Sequence, residues 1–468
     1  MGIASGFALW AAELVDPPLP ISSESIPKEN KETETEMEIH VFEKNPTVGG
    51  RMAMVELAGD KFEAGGSILH PKNLHTLQYT ELLGLKRKTS SDDDSDFGIW
   101  DGQKFIFKTF PGGKSGFPAT ISTFINNLLI FWRYGTSLLK MQEYVSNLLD
   151  RFLRYYEDSR PIFYTVDEML KWADLHEYTR HTLQKELVAA GLSPRLISEL
   201  VTVIMRINYG QNVDISGLAG AVSLCGSGGD LWSVEGGNWQ MAAGLIDQAN
   251  VSLHLNKEVA SISLKGEQYE VNSTDGQVYD CEVVVVATPL DEVKISFIPL
   301  ISIPERHLHH TYTTFVRGLL NPVYFGLSST SSLPDLIGTL EVPDLPFSSI
   351  SILKDYSRDD KAYKIFSRKP MADDLLNEIF SDRKETIRID WAAYPHYQAP
   401  EKFAPFLLDG HHLYYINAFE NAASTMETSS VSAENIARLI LSRLPGGRLQ
   451  ISRSEISDLG NAKMHPEL

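Results

Sequence analysis

The sequence predicts an α/β protein of two interleaved parts: a discontinuous unit built on short parallel strands, and an α+β unit inserted into it twice. Three observations carry this expectation. Stretches in which strand-like alternation gives way to helical spacing occur at 37–90, 230–300 and 405–445, while the intervening 91–229 and 301–404 differ in texture. Cys281 to Ala287 contains Val283, Val284, Val285 and Val286 in succession, as in a strand covered on both faces. At 468 residues the chain is too long for one hydrophobic core to organise.

The elements follow in order. Residues 1–36 stand apart, and 15–36, rich in Pro, Ser, Glu and Lys, read as a disordered segment. Met37 to Glu43 alternates like a strand and ends on an acid, and 51–70 read as two further short strands broken by glycines. Helical spacing runs from Ile121 to Tyr156, with an apolar patch at Leu128-Leu129-Ile130-Phe131-Trp132, and again over 166–206. Met241 to Gln248 is a helix, followed by strands at 251–262 and 268–272. Leu413 to Ala418 is a strand, Ser430 to Arg443 a closing helix, and 446–468 a tail.

Bulk figures narrow the function. A net charge of −19 repels a phosphate backbone, which excludes nucleic acid as an expected partner. Cys225 and Cys281 are the only cysteines, too few for a disulfide framework or a cysteine-built metal site, and no metal is expected. No run of about 18 uninterrupted apolar residues occurs, so no membrane-spanning helix is expected. The apolar start, Met1 to Trp10, lacks a basic flank and is soon followed by Glu13, a poor signal peptide. Asn250-Val251-Ser252 and Asn272-Ser273-Thr274 are glycosylation sequons, relevant only to a secreted chain.

Chemistry enters at Glu43. An acid at the tip of the second strand of a dinucleotide-binding unit accepts hydrogen bonds from the adenosine ribose, although alone it reads equally as a solvated acid. Val48-Gly49-Gly50-Arg51 follows at once. Its glycines let backbone approach a cofactor, and its arginine can pair with a diphosphate. Phe62-Glu63-Ala64-Gly65-Gly66-Ser67 is a second glycine cluster in a strand context. Trp232-Ser233-Val234-Glu235-Gly236-Gly237-Asn238 precedes a helix, and Val285-Val286-Ala287-Thr288-Pro289 ends the valine strand on small residues. Leu413 to Glu420 leads to Met426-Glu427 at a helix start, where a flavin edge or phosphate is favoured. Each piece alone is ordinary turn chemistry; in this order they indicate a Rossmann-type FAD-binding domain.

Five runs narrow the reading to a family. Glu63-Ala64-Gly65-Gly66-Ser67-Ile68-Leu69-His70-Pro71-Lys72-Asn73, Met205-Arg206-Ile207-Asn208-Tyr209-Gly210-Gln211, Trp232 to Asn238, Ala393-Tyr394-Pro395-His396-Tyr397 and Glu420 to Glu427 resemble the prenylcysteine oxidases, including the plant farnesylcysteine lyases. The likeness extends from about Met37 to Arg443. It implies a glutathione-reductase-like FAD domain and a prenyl-binding domain. It also implies thioether oxidation: hydride loss from the allylic carbon beside sulfur, water addition, and release of cysteine and a prenyl aldehyde. Molecular oxygen is the final acceptor and hydrogen peroxide a product. The compartment implied is the lysosome or vacuole, or a membrane-associated secretory compartment.

The family opens with a strand and a G-x-G-x-x-G turn, whereas here no strand precedes Gly2. Gly2-Ile3-Ala4-Ser5-Gly6, followed by Phe7 to Leu14, is read as the remnant of that turn and helix, and weak FAD binding is expected on that ground. The cofactor-binding set expected from motifs and resemblance is Glu43, Gly49, Gly50, Arg51, Gly65, Gly66, Ser67, Val259, Ala287, Thr288, Glu420, Met426 and Glu427. Catalytic candidates are His70, to orient the attacking water, and Arg206, to pair with the substrate carboxylate; a structural histidine and a buried ion pair are the plainer readings. Leu128, Phe131, Trp132, Tyr134 and Met141 are the candidate isoprenoid tunnel, with plain core or a peripheral membrane contact as alternatives. A catalytically silent relative and an FAD amine oxidase are the competing functions.

Overall fold

A computed structural model describes residues 38–89, 96–110, 119–227 and 230–444, without the side chains at 119–122 and 124. The segment at 15–36, the turn expected at Gly2 to Gly6 and the tail at 446–468 lie outside the described residues.

Strands remote in sequence meet in parallel, as crossover connections allow. Strand β1 (His40–Phe42) pairs with β8 (Ser252–His254), and β12 (Val284–Val286) with β19 (Leu413–Tyr415). Strands β9 (Val259–Lys265), β10 (Gln268–Ser273), β11 (Val278–Cys281) and β13 (Ser296–Ile298) form a sheet in the order β11-β10-β9-β13. The valine run is less covered than expected: Val286 is buried, whereas Val284 and Val285 are half-buried against the edge of the main core. Among the described residues β12 has β19 as its one ladder partner.

The largest sheet takes its strands from 97–108 and 308–395. It runs β18 (Phe380–Pro395), β14 (Leu308–Leu320), β17 (Asp360–Ser367), β16 (Ser349–Ser357), β15 (Leu336–Thr339), β5 (Phe97–Trp100), β6 (Phe105–Lys108). Alternation on β14 puts Thr311, Thr313 and Phe315 on one face. Phe315 is buried there with Leu57 and Ala64 of the hairpin β2 (Met54–Leu57) and β3 (Asp60–Glu63). The hairpin turns on Ala58 and Gly59, both at positive φ. A further antiparallel pair joins β4 (Arg87–Thr89) to β7 (Trp232–Val234).

Helices used below are α1 (Leu74–Leu82), α2 (Ala119–Tyr134), α3 (Ser137–Leu153), α4 (Thr202–Tyr209), α5 (Gly217–Cys225), α6 (Trp239–Gln248) and α7 (Met426–Arg443). The single helix expected over 121–156 is two, because Gly135 takes φ +59 and ends α2. The tract at 166–206 is likewise a series of short helices, with Asp174 and Gly191 at positive φ between them. Helix α7 starts at Met426 rather than Ser430. Thr425 caps it, its hydroxyl accepting from the Thr428 N–H while Thr428 Oγ1 accepts from the Thr425 N–H.

Candidate active site

A cavity of about 370 Å³ lies among segments from across the chain. One wall is backbone: Gly49, Arg51, Gly65, Gly66 and Ser67, with His70 beside them and the α7 N-terminus from Ser424 to Ser430. A second wall is apolar, with Leu148, Leu149 and Phe152 from α3 and Leu218 and Val222 from α5. The third is the face of the large sheet carrying Thr311, Thr313, Phe366, Trp391 and Tyr394.

The glycines are required where they stand. A Cβ on Gly65 would lie 1.9 Å from the Arg51 carbonyl oxygen, which also accepts the Gly66 N–H at 2.8 Å. Gly49 holds φ +115, and a Cβ there would lie 2.8 Å from the Met52 carbonyl. Gly50 also has positive φ. By contrast, the nearest atom to a Cβ on Gly66 is Met426 Cε at 3.7 Å, so this glycine leaves room rather than filling a tight spot. Bare backbone facing a cavity fits a planar cofactor held at close range.

Charge is held beside that wall. The Arg51 guanidinium pairs with the Glu420 carboxylate and donates to the Ala393 carbonyl at 2.6 Å. Glu420 also accepts from Asn417 at 3.1 Å and Ser424 at 2.9 Å, and lies 3.4 Å from Arg306, which pairs with Asp291 at 2.6 Å. Burial alone would push the Glu420 pKa up, but Arg51 and Arg306 outweigh it and hold it at about 2. Two cations facing two carboxylates make this buried cluster neutral, as such burial requires.

Glu43 continues the β1–β8 ladder, its N–H donating to the His254 carbonyl at 2.9 Å. It is buried, and among the described residues the bonds to its carboxylate, from the Asn45 N–H and Nδ2 at 2.8 Å each, fall on Oε1. It lies outside the cavity lining. Glu427 lines the cavity, yet its oxygens accept the His75 and Thr76 N–H groups at 2.7 and 3.0 Å and the Tyr156 hydroxyl at 2.6 Å. It caps the N-terminus of α1, a helix without its own side-chain cap. Met426 lies against Gly66.

His70 lines the cavity, its Nδ1 accepting from the Lys72 N–H at 3.0 Å. Burial, with Lys72 nearby, lowers its pKa from 6.5, so the ring is neutral at neutral pH. Other candidates are not brought to the cavity. Arg206 is buried against the large sheet, donating to Thr339 Oγ1 at 3.1 Å, Glu341 at 2.7 Å and the Phe347 carbonyl at 3.2 Å, the buried ion pair of its plainer reading. Val259 begins β9, and Ala287 and Thr288 follow β12; all three are half-buried outside the lining. The tunnel candidates lie elsewhere too. Leu128, Phe131 and Trp132 are 53%, 50% and 86% exposed, Tyr134 is buried with its hydroxyl on Glu199, and Met141 packs against the main core. Sequence reasoning missed the real apolar wall. Leu148 and Phe152, one helical turn apart and C-terminal to the chosen patch, carry the i, i+4 spacing that could have flagged it.

Comparison with known proteins identifies the lineage. The profile described as prenylcysteine lyase matches residues 117–453. The chain belongs to the prenylcysteine lyase family. It is 61% identical over 410 residues to the farnesylcysteine lyase of Arabidopsis thaliana, covering 86% of this chain and 82% of that one. It is 32% identical over 445 residues to prenylcysteine oxidase 1 of Homo sapiens, covering 88% and 85%. Among solved structures, a putrescine oxidase variant matches with a TM-score of 0.60 at 12% identity, over 94% of this chain and 98% of that one. Cyclohexylamine oxidase from Brevibacterium oxydans IH-35A matches with a TM-score of 0.59 at 16% identity, over 94% and 96%. At such identities the likeness concerns the fold alone, an α/β fold shared with these amine oxidases.

Proposed function

We propose that the protein is an FAD-dependent thioether oxidase. It cleaves S-prenyl-L-cysteine, with a farnesyl or geranylgeranyl chain, to prenyl aldehyde, L-cysteine and hydrogen peroxide, with molecular oxygen as co-substrate. The observation that carries this reading is one cavity with bare glycine backbone on one wall and apolar side chains on the opposing helices. The family and its farnesylcysteine lyase and prenylcysteine oxidase members support the same substrate class.

Gly49, Gly65, Gly66, Ser67 and the α7 N-terminus would hold the flavin, Arg51 its diphosphate and Glu43 its ribose. When bound, FAD supplies the hydride acceptor and passes the electrons to oxygen. The remaining work falls to side chains of this chain. Glu420 holds the Arg51 guanidinium in place. Leu148, Leu149, Phe152, Leu218 and Val222 receive the isoprenoid chain and keep bulk water from it. His70, neutral and with Nδ1 engaged by Lys72, presents Nε2–H to orient the water that adds beside sulfur.

The test is peroxide release and aldehyde detection from flavin-loaded protein given S-farnesyl-L-cysteine or spermine. Farnesylcysteine is the expected substrate, and spermine is not, because its ammonium groups would meet an apolar wall. Oxidation of spermine with farnesylcysteine untouched would favour the amine oxidase reading instead.

A further inference from the structure

The sheet wall of the cavity carries hydrogen-bonding groups that the protein leaves unused. Thr311 Oγ1, Thr313 Oγ1 and Trp391 Nε1 are each buried with no hydrogen-bond partner among the described residues. All three residues line the cavity. They form one patch, since Thr311 and Thr313 alternate onto the same face of β14 and Trp391 is the direct cross-strand partner of Thr311 on β18. Arg51 reaches the same strand, donating to Ala393 two residues beyond Trp391. Native proteins seldom leave one such group unsatisfied, and three together on a cavity wall call for a ligand.

We infer that Thr311, Thr313 and Trp391 bind the α-carboxylate of the S-prenylcysteine, setting the amino-acid end on the sheet wall and the prenyl chain along α3 and α5. The inference rests on the thioether oxidase reading. An indole N–H can only donate, so the ligand group must accept. Hydroxyl hydrogens can turn to donate as well, and a turn of about 120° about χ1 exchanges a threonine methyl for its hydroxyl at the cavity surface. The carboxylate, with two oxygens and several lone pairs, takes three donors at once; a prenyl chain takes none. Arg206, the charged candidate for this task, is committed to Glu341 and Phe347 behind the wall.

A flavin carbonyl is the other acceptor the patch could serve, and the test separates the two. Flavin-loaded wild type, the Thr311→Val/Thr313→Val double variant and Trp391→Phe are compared on S-farnesyl-L-cysteine and S-farnesylcysteamine, which lacks only the carboxylate. Loss of donors to a charged acceptor should raise KM for farnesylcysteine roughly 10- to 100-fold, with kcat little changed. KM for farnesylcysteamine should stay near its wild-type value. The double variant should melt no lower than wild type, because valine keeps the shape of threonine and removes a buried unsatisfied hydroxyl. Equal weakening of both thioethers, no change in either, or loss of bound flavin at unchanged KM would overturn the assignment. If wild type oxidises neither thioether, the functional reading fails by itself, and calorimetric titration of the same proteins with the two compounds still decides the carboxylate contact.

Discussion

Gly65 sits so close under Arg51 that an alanine methyl would meet the Arg51 carbonyl at 1.9 Å, backbone against backbone, with no flexible side chain to give way. Gly65→Ala is therefore expected to displace the Arg51 strand, lower Tm by several degrees, and leave purified protein without visible flavin absorbance. Gly66→Ala is the contrast: it should fold normally, because its nearest neighbour is Met426 Cε at 3.7 Å, and lose flavin only by protruding into the cavity. Glu427→Ala strands the buried His75 and Thr76 N–H groups, and a destabilisation of about 2 kcal/mol or more is expected by thermal melting. Glu427→Gln should recover part of it. That the glycines, Arg51 and His70 lie close together was legible in the sequence because close backbone approach leaves a local spelling. The task of Glu427 was not, since its partner His75 lies 352 positions away, and the ion pair of Arg206 likewise depends on Glu341, 135 positions downstream.

At the scale of elements, periodicity located strands and helices well but said little about which face would meet the cavity. The patch at Leu128 to Trp132 looked like a lining because it is the most apolar stretch of its tract, yet α2 turns that stretch to solvent and α3 supplies the wall. The break at Gly135 decides this, since a continuous helix would have kept both segments in one register. An exposed cluster of Leu128, Leu129, Phe131 and Trp132 on one helix is the kind of face that lies on lipid. Trp132→Ser is expected to leave Tm and peroxide release from soluble farnesylcysteine unchanged while reducing co-sedimentation with phosphatidylcholine vesicles. Equal sedimentation of both proteins would exclude lipid contact by this face.

For the whole molecule, order along the chain was informative because strands from remote segments meet in parallel, β1 with β8 and β12 with β19, and β12 stands out in the sequence as a run of valines. Unreadable was the ionisation of the assembled interior. Glu401, buried and accepting from the Gln398 N–H at 2.6 Å and from Asn421 at 2.8 Å, has its pKa pushed up by burial to about 7, from 4.5. Folding thus favours its protonated form. The corresponding stability is fully present below about pH 4.5 and is lost as pH rises through 7, an effect of up to about 3 kcal/mol. Glu401→Gln should flatten that part of the Tm–pH curve; an unchanged slope would assign it to other groups.

We propose that one cavity brings a prenyl thioether to a bound flavin. The most direct test is anaerobic mixing of flavin-loaded protein with S-farnesyl-L-cysteine, following the visible flavin band. The predicted result is bleaching by farnesylcysteine, with a saturated S-alkyl cysteine of equal length binding but leaving the band in place over the same interval. Colour retained with farnesylcysteine, or bleached equally by the saturated analogue, would contradict the account.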